Sequence, residues 1–514
     1  MSPKLHHQLK NRKRAIERRL DPDRRPSGKA PVFAARNIHY EMADRIHAIG
    51  GGGIGAMQLL VQHVGLDQAI NQDLHLLKVH LPYWESDHVL NIAYNTINGG
   101  TCLEDLERLR NDEVYLDALG AARIPDPTTA GDFCRRFATA DQVVGLLETF
   151  NRVRQKVWQK QPAEFFELAI LDADGTIAPT TGQCKQGMDI AYNGFWGYHP
   201  LVVSLANTKE PLYLVNRPGN RPSHENAAEY LDRAIHLALQ SGFQEVLLRG
   251  DTDFSQTTHL DRWDAQGVRF LFGIDRSAAL ESRALSLPPT AWQRLERPPR
   301  HEVQTAKRRR PAKIKERIVE ERNYKNLVAQ WEEVAEFSYR PVACGRSYRV
   351  VALRKRLQEK KGQLVIWEGY RYFFFITNLP AEEYLPVEVV LLANDRCDQE
   401  NLIEQLKNGV RAMKMPTGDL TSNWAYMVMA SLGWTLKAWT GLCLPVSPAW
   451  AQRHEAQKQA LLKMEFKRFV NSLIALPCQI VQTGRRIVYR LLSWNPWTGV
   501  LLRAAEAWRR PLTC

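Results

Sequence analysis

Phe166-Glu167-Leu168-Ala169-Ile170-Leu171-Asp172-Ala173-Asp174 is an apolar run ending in two carboxylates one residue apart. Further along, Leu247-Leu248-Arg249-Gly250-Asp251-Thr252-Asp253 repeats the pattern. The first run reads as a strand from Phe166 to Asp174. Alternate residues share a strand face, so Asp172 and Asp174 point the same way. Two carboxylates on an apolar strand repel each other and desolvate poorly, and a divalent cation answers both problems. A lone pair of this kind reads as a solvent-exposed strand end. A second acidic strand end set beside the first favours a shared site.

Working outward, Tyr198–Asn207 and Pro211–Arg217 read as two more strands, parted by a turn at Asn207-Thr208-Lys209-Glu210. Ser223 is placed to cap a helix to Gln240. The strand Glu245–Gly250, a helix near 256–266 and the strand Val268–Ile274 follow. The order β-β-β-α-β-α-β is that of an RNase H-like core still lacking its final helix. The fold class expected is therefore α/β, a mixed sheet with helices, interrupted by a β-rich insertion and flanked by all-helical regions. Residues 280–380 interrupt the core, Pro-rich and basic first and then strand-like in Val334–Tyr339, Tyr348–Leu353, Leu364–Trp367 and Tyr370–Asn378. A helix resumes near Cys397. It carries the spacing Ala393-x2-Arg396-x3-Glu400-x6-Lys407, in which Glu400 and Lys407 are two turns apart and share a face, with Glu404 between. Alone, that pattern is an amphipathic surface helix.

The expected divisions are a basic arm and linker over 1–53, a helical DNA-binding region over 54–163 and the first part of the core over 164–279. The insertion covers 280–380, the rest of the core with its last helix 381–440, and a helical C-terminal region 441–514. Within the second division, Ser86 is expected to cap a helix from Asp87 to about Asn98. Helices over Cys102–Arg110, Pro127–Phe137 and 141–160 follow. Gly50-x-Gly52-x2-Gly55 fits a dinucleotide fingerprint as text, but no strand is read before it, so a joint ahead of a helix is expected. Leu420–Leu436 is free of charge, short for a bilayer, and reads as a buried helix.

Of 514 residues, Lys and Arg number 69 against 56 Asp and Glu, a formal charge of +13. Two segments hold the whole excess. Residues 1–31 carry ten basic side chains, Arg12, Lys13 and Arg14 among them, against three acidic ones. Residues 294–317 do the same around Lys307-Arg308-Arg309-Arg310. A single charge run is usually a solvated face; two that hold all the excess favour contact with phosphates. Eight cysteines without a C-x-x-C pair give neither a disulfide scaffold nor a zinc framework. A reducing intracellular setting is expected, cytoplasmic and nucleoid-associated.

Taken together, these elements resemble the DDE transposases of bacterial insertion sequences, in the branch with a Tyr-x2-Arg-x3-Glu-x6-Lys signature. The resemblance spans roughly 85–440. It rests on Ser86-Asp87, Leu106-x2-Leu109-Arg110-x-Asp112, Asp172-x-Asp174-Gly175-Thr176 and Gly197-Tyr198-His199-Pro200-Leu201. Arg217-x-Gly219-Asn220, Leu248-Arg249-Gly250-Asp251, Phe373-Phe374-x-Ile376-Thr377-Asn378 and the Arg396/Glu400/Lys407 spacing complete it. The signature tyrosine is Ala393 here, and Asp253 stands where relatives usually carry a small residue. The resemblance implies that Asp174, Asp251 and Glu400 are catalytic and hold two Mg²⁺ ions, replaceable by Mn²⁺, with Asp172 assisting. It makes Arg396 and Lys407 DNA contacts. It further implies cut-and-paste movement between terminal inverted repeats on double-stranded DNA, by a homodimer in the synaptic complex. Two other readings remain: an RNase H-like nuclease or resolvase without strand transfer, and a domesticated DNA-binding protein that no longer cuts.

Overall fold

The computed structural model describes residues 3–20, 47–78, 82–297, 317–318, 321–322, 325–361, 364–483 and 486–512. The expected basic run Lys307–Arg310 lies outside them. At the centre stands β1 (Leu168–Gly175), flanked on one side by β2 (Leu201–Leu205) and β3 (Glu210–Val215), and on the other by β4 (Glu245–Gly250) and β5 (Arg269–Ile274). β2 pairs with β1 and β3 antiparallel, while β4 runs parallel to both β1 and β5. The β-β-β-α-β-α-β order read from the sequence is the order the chain adopts. β1 to β5 are mostly buried on both faces, so their apolar runs are near continuous rather than alternating.

The described residues of 293–377 do not form a sheet of their own. β6 (Gln293–Arg294), β7 (Lys325–Tyr339), β8 (Tyr348–Lys361) and β9 (Leu364–Thr377) extend the central sheet past β5, giving nine strands in the order β6-β7-β8-β9-β5-β4-β1-β2-β3. Two cores follow. A small one sandwiches the helix Pro386–Asn394, through Val389 and Val390, against Leu247, Leu271, Val334 and Leu353 of the sheet. The large one holds the other face of the sheet and nearly all the remaining helices.

The helix Leu420–Leu442 runs through that large core, buried on every side over most of its length. It packs against β3 and against the helices Glu85–Ile97, Ala140–Trp158 and Ala451–Leu462. No helix among the described residues is long and apolar enough to cross a membrane. The N-terminal helices are thus fastened to the C-terminal part of the chain. The fastening includes strands the sequence reading missed: Cys478–Thr483 and Arg486–Leu491 form a hairpin inside the region expected to be helical, and Ala48–Ile49 pairs with it. A two-residue strand therefore does precede the Gly50–Gly55 run, in an antiparallel pairing rather than a βαβ unit. Gly50 has open space around it, but Gly52, Gly53 and Gly55 are a close-packing device and not a loose joint. A Cβ on Gly53 would lie 1.9 Å from the Leu473 carbonyl oxygen, and one on Gly55 would lie 2.3 Å from the Tyr489 ring.

Local signals shifted by a few residues in two places. The helix expected from Asp87 begins at Glu85, with Asp87 accepting from the Trp84 N–H at 2.8 Å; Ser86 is inside it. The helix expected from Ser223 begins at Ala227, after Asn226 in a left-handed conformation.

Candidate active site

β1 and β4 run parallel and in register from Leu168 opposite Glu245 to Asp172 opposite Arg249. Two residues further on, Asp174 and Asp251 leave the same edge of the sheet side by side. Strand geometry alone would set two carboxylates against each other there. Arg396, which caps the helix Cys397–Glu404, stands between them. Its Nη1 donates to Asp174 Oδ2 at 2.9 Å, and its Nη2 lies 3.9 Å from Asp251 Oδ2. Burial pushes the Asp174 carboxyl up to about 6; Arg396 opposes that rise while the charges of Asp251 and Glu400 add to it. Asp251 is raised for the same first reason, with Asp253 adding to it and Arg396 opposing. Asp251 also accepts from the Asp253 N–H at 3.1 Å, which turns the chain into the short helix Thr252–Phe254.

Glu400 sits one helical turn past Arg396 and is exposed. Among the described residues, no three His, Cys, Asp or Glu side chains already converge as a metal cluster; the cation between the carboxylates is the guanidinium. The donors themselves are hard oxygens of the kind Mg²⁺ takes.

Asp172 does not join this group. It is buried, and both its oxygens accept from Arg249, at 2.7 and 2.8 Å. Arg249 also donates to the Leu392 carbonyl at 2.9 Å, tying β4 to the helix that leads into Arg396. Asp172 and Asp174 do share a strand side, as the period-two argument requires. The buried guanidinium has claimed the inner carboxylate, because a charge inside an apolar layer needs a partner there. The signal was legible: Arg249 is the one charged residue in the middle of an apolar strand. Gln399 is a second positioning residue the sequence did not announce. Buried beside Glu400, it accepts from the Ser204 hydroxyl and donates to the Val202 carbonyl at 3.1 Å, pinning the helix across β2.

Lys407 faces the same site by a different route from the one expected. The α-helix ends at Glu404, and Gln405–Gly409 is a π-turn, so the two-turn spacing from Glu400 is not continuous α-helix. The ammonium is half-buried. Burial lowers its pKa, while Glu404 and Asp174 work the other way. Wider turns of this kind are frequent at functional sites. Arg12, Lys13 and Arg14 sit elsewhere, on the helix Pro3–Leu20, where Leu9 meets the helix Thr498–Ala507 and Lys13 lies 5.7 Å over the Trp494 ring.

The profile of the family described as "Transposase DDE domain group 1" matches residues 48–511. The chain belongs to that family. It is a transposase of the DDE class, and its work is DNA transposition, a recombination reaction. No curated protein matches the sequence. Among solved structures, the chain resembles that of a piggyBac transposase synaptic complex with hairpin DNA. Identity is 10%, 83% of this chain and 79% of the other are covered, and the TM-score is 0.37.

Proposed function

We propose that this transposase moves an insertion sequence by cut-and-paste, cleaving and rejoining DNA at terminal inverted repeats, with Asp174, Asp251 and Glu400 as its catalytic carboxylates on an RNase H-like core. The observation that carries this is Arg396 held between Asp174 and Asp251, with Glu400 one turn further along the same helix. Carboxylates gathered beside a phosphate backbone would only repel it, so a cation must be part of the working site. Two Mg²⁺ ions, or Mn²⁺ in their place, fit the oxygen donors. Bound there, they supply an activated water or 3′-hydroxyl and stabilise the leaving oxygen at phosphorus. Asp174 and Asp251 would hold the ions from two parallel strands, with Glu400 as a further ligand from the helix. Arg396 and Lys407 turn to the phosphates on either side of the scissile bond. Arg249 and Asp172 keep the strand ends in register, so the reacting groups start close to the geometry they need. DNA lies across this edge of the sheet, and two copies of the chain bring two ends together.

The test is a supercoiled donor bearing the inverted repeats found beside the coding sequence, incubated with Mg²⁺ and a target plasmid. Excised donor and joined target are expected. Cleavage without joining would favour the nuclease reading, and end binding without cleavage the non-cutting one.

A further inference from the structure

The turn between β2 and β3, Ala206-Asn207-Thr208-Lys209, is clamped from three sides. Asn207 accepts from the Ile170 N–H at 3.0 Å and donates to the Leu168 carbonyl at 2.8 Å, which fastens the turn to the start of β1. The Thr208 hydroxyl donates to Glu210 at 2.7 Å, and Glu210 is itself the buried acceptor for Arg154, Trp158 and Trp439. From the central helix Leu420–Leu442, the Trp434 indole donates to the Lys209 carbonyl at 2.6 Å. Lys209 closes the turn with φ of 59°, in the left-handed region, which a residue with a side chain keeps only where its surroundings over-determine it. A glycine would take that shape without strain. What lysine adds is reach. Its side chain leaves the clamp for the helix Cys397–Glu404, where Nζ donates to Asp398 Oδ1 at 2.9 Å. Asp398 lies midway between Arg396 and Glu400 in sequence. Residues four apart share a helix face, and one two places from each is on the opposite side. Lys209 therefore holds the back of the helix whose front carries Arg396 and Glu400. The next residue, Gln399, is buried and fastened to β2, whereas Asp398 is 55% exposed. An ion pair so open to water adds little to stability, so stability alone does not account for a strained lysine at this turn.

We propose that Lys209 is a positioning residue for DNA cleavage, an inference that rests on the reading of Arg396 and Glu400 as parts of the catalytic site. One pin, at Gln399, leaves a short helix free to roll about it. A second pin on the adjacent residue, about 100° further round the helix, removes that freedom. The Lys209–Asp398 bridge touches no reacting group; it keeps Arg396 and Glu400 in line with Asp174 and Asp251, where a displacement of about 1 Å is costly in rate. Because Trp434 and Glu210 hold the same turn, the helix with Arg396 and Glu400 takes its bearing from the helices Leu420–Leu442 and Ala140–Trp158 as well as from the sheet.

Single-turnover cleavage of a pre-nicked end duplex in Mg²⁺, with the full-length protein in excess, gives a maximal rate and a half-saturating protein concentration. Lys209→Gly suits the left-handed turn and removes the ammonium. It is expected to lower the maximal rate about tenfold, with the half-saturating concentration and Tm unchanged. Lys209→Arg should cleave at close to the parent rate. Lys209→Asp combined with Asp398→Lys should recover most of the loss, since Asp also tolerates the left-handed region. Parent-level cleavage by Lys209→Gly overturns the positioning role and leaves the catalytic reading standing. So does a loss that neither Lys209→Arg nor the charge swap recovers, or one that tracks a fall in Tm, because the ion pair is then not its cause. Cleavage by Glu400→Ala at the parent rate overturns the catalytic reading and the positioning role with it.

Discussion

The parallel pairing of β1 and β4 sets Asp174 and Asp251 at one end of the sheet, and the Arg396 guanidinium lies between them; without a cation, two half-buried carboxylates would push that end apart. Arg396→Ala is therefore expected to lower stability in metal-free buffer by about 2 kcal/mol, the cost of stranding partly buried charged groups. Millimolar Mg²⁺ should restore much of that loss. Calorimetric Tm with and without Mg²⁺ checks it, and a Tm that ignores Mg²⁺ in this variant would argue against the three carboxylates as its ligands. The roles of the neighbouring acids separate in the same way. Asp174→Ala, Asp251→Ala and Glu400→Ala should each abolish cleavage while end binding persists. Asp172→Ala instead leaves Arg249 buried and unpaired, with an expected loss of about 3–5 kcal/mol. Gel-shift and cleavage assays beside urea unfolding curves distinguish a lost ligand from a lost fold.

The helix Cys397–Glu404 works as an element because its two ends do different things. Its first turn presents Arg396 and Glu400, Gln399 locks it across β2, and the π-turn at its end brings Lys407 round to the site. If Lys407 meets a phosphate beside the scissile one, Lys407→Ala should lower cleavage of a pre-nicked end by about tenfold or more, since charge-assisted contacts are among the stronger ones. Mg²⁺-induced stabilisation should stay as it is in the parent protein. Parent-level cleavage would reduce Lys407 to a partner of Glu404 on a solvent-facing turn, a pairing worth little.

At the scale of the whole molecule, one buried residue joins three parts of the chain. Glu210, at the start of β3, accepts from Arg154 and Trp439 on one oxygen, at 2.9 and 2.8 Å, and from Trp158 and Thr208 on the other, at 2.9 and 2.7 Å. It thereby ties the helix Ala140–Trp158 and the central helix Leu420–Leu442 to the edge of the nine-stranded sheet. Arg154 and Glu210 are almost wholly buried. Glu210→Ala strands the guanidinium in the core, and an unfolding free energy lower by about 3–5 kcal/mol is expected. Because the N-terminal helices and the sheet meet there, both should unfold in one transition. A separate early transition of the helices would show instead that they are an independent unit.

The sequence by itself determined the local frame. Apolar runs with turn residues between them placed β1 to β5 and their order within a few residues, and the strand ends at Asp174 and Asp251 were marked by carboxylates that an apolar strand does not otherwise tolerate. The spacing Arg396/Glu400/Lys407 was legible for the same reason: periodicity is a property of neighbouring residues. What tertiary structure decided were pairings over long separations. Arg249 took Asp172 out of the acidic group, Arg396 entered it from 222 positions beyond Asp174, and β7 to β9 joined the central sheet. The hairpin Cys478–Leu491 found Ala48–Ile49 more than 400 residues away, and Gly53 and Gly55 proved to be tight contacts, with Leu473 and with Tyr489 of that hairpin, rather than slack. Arg249 stood out locally as a charge inside an apolar strand, but which buried charge it pairs with, and which strand edge finds which, depends on desolvation and close packing across the folded chain.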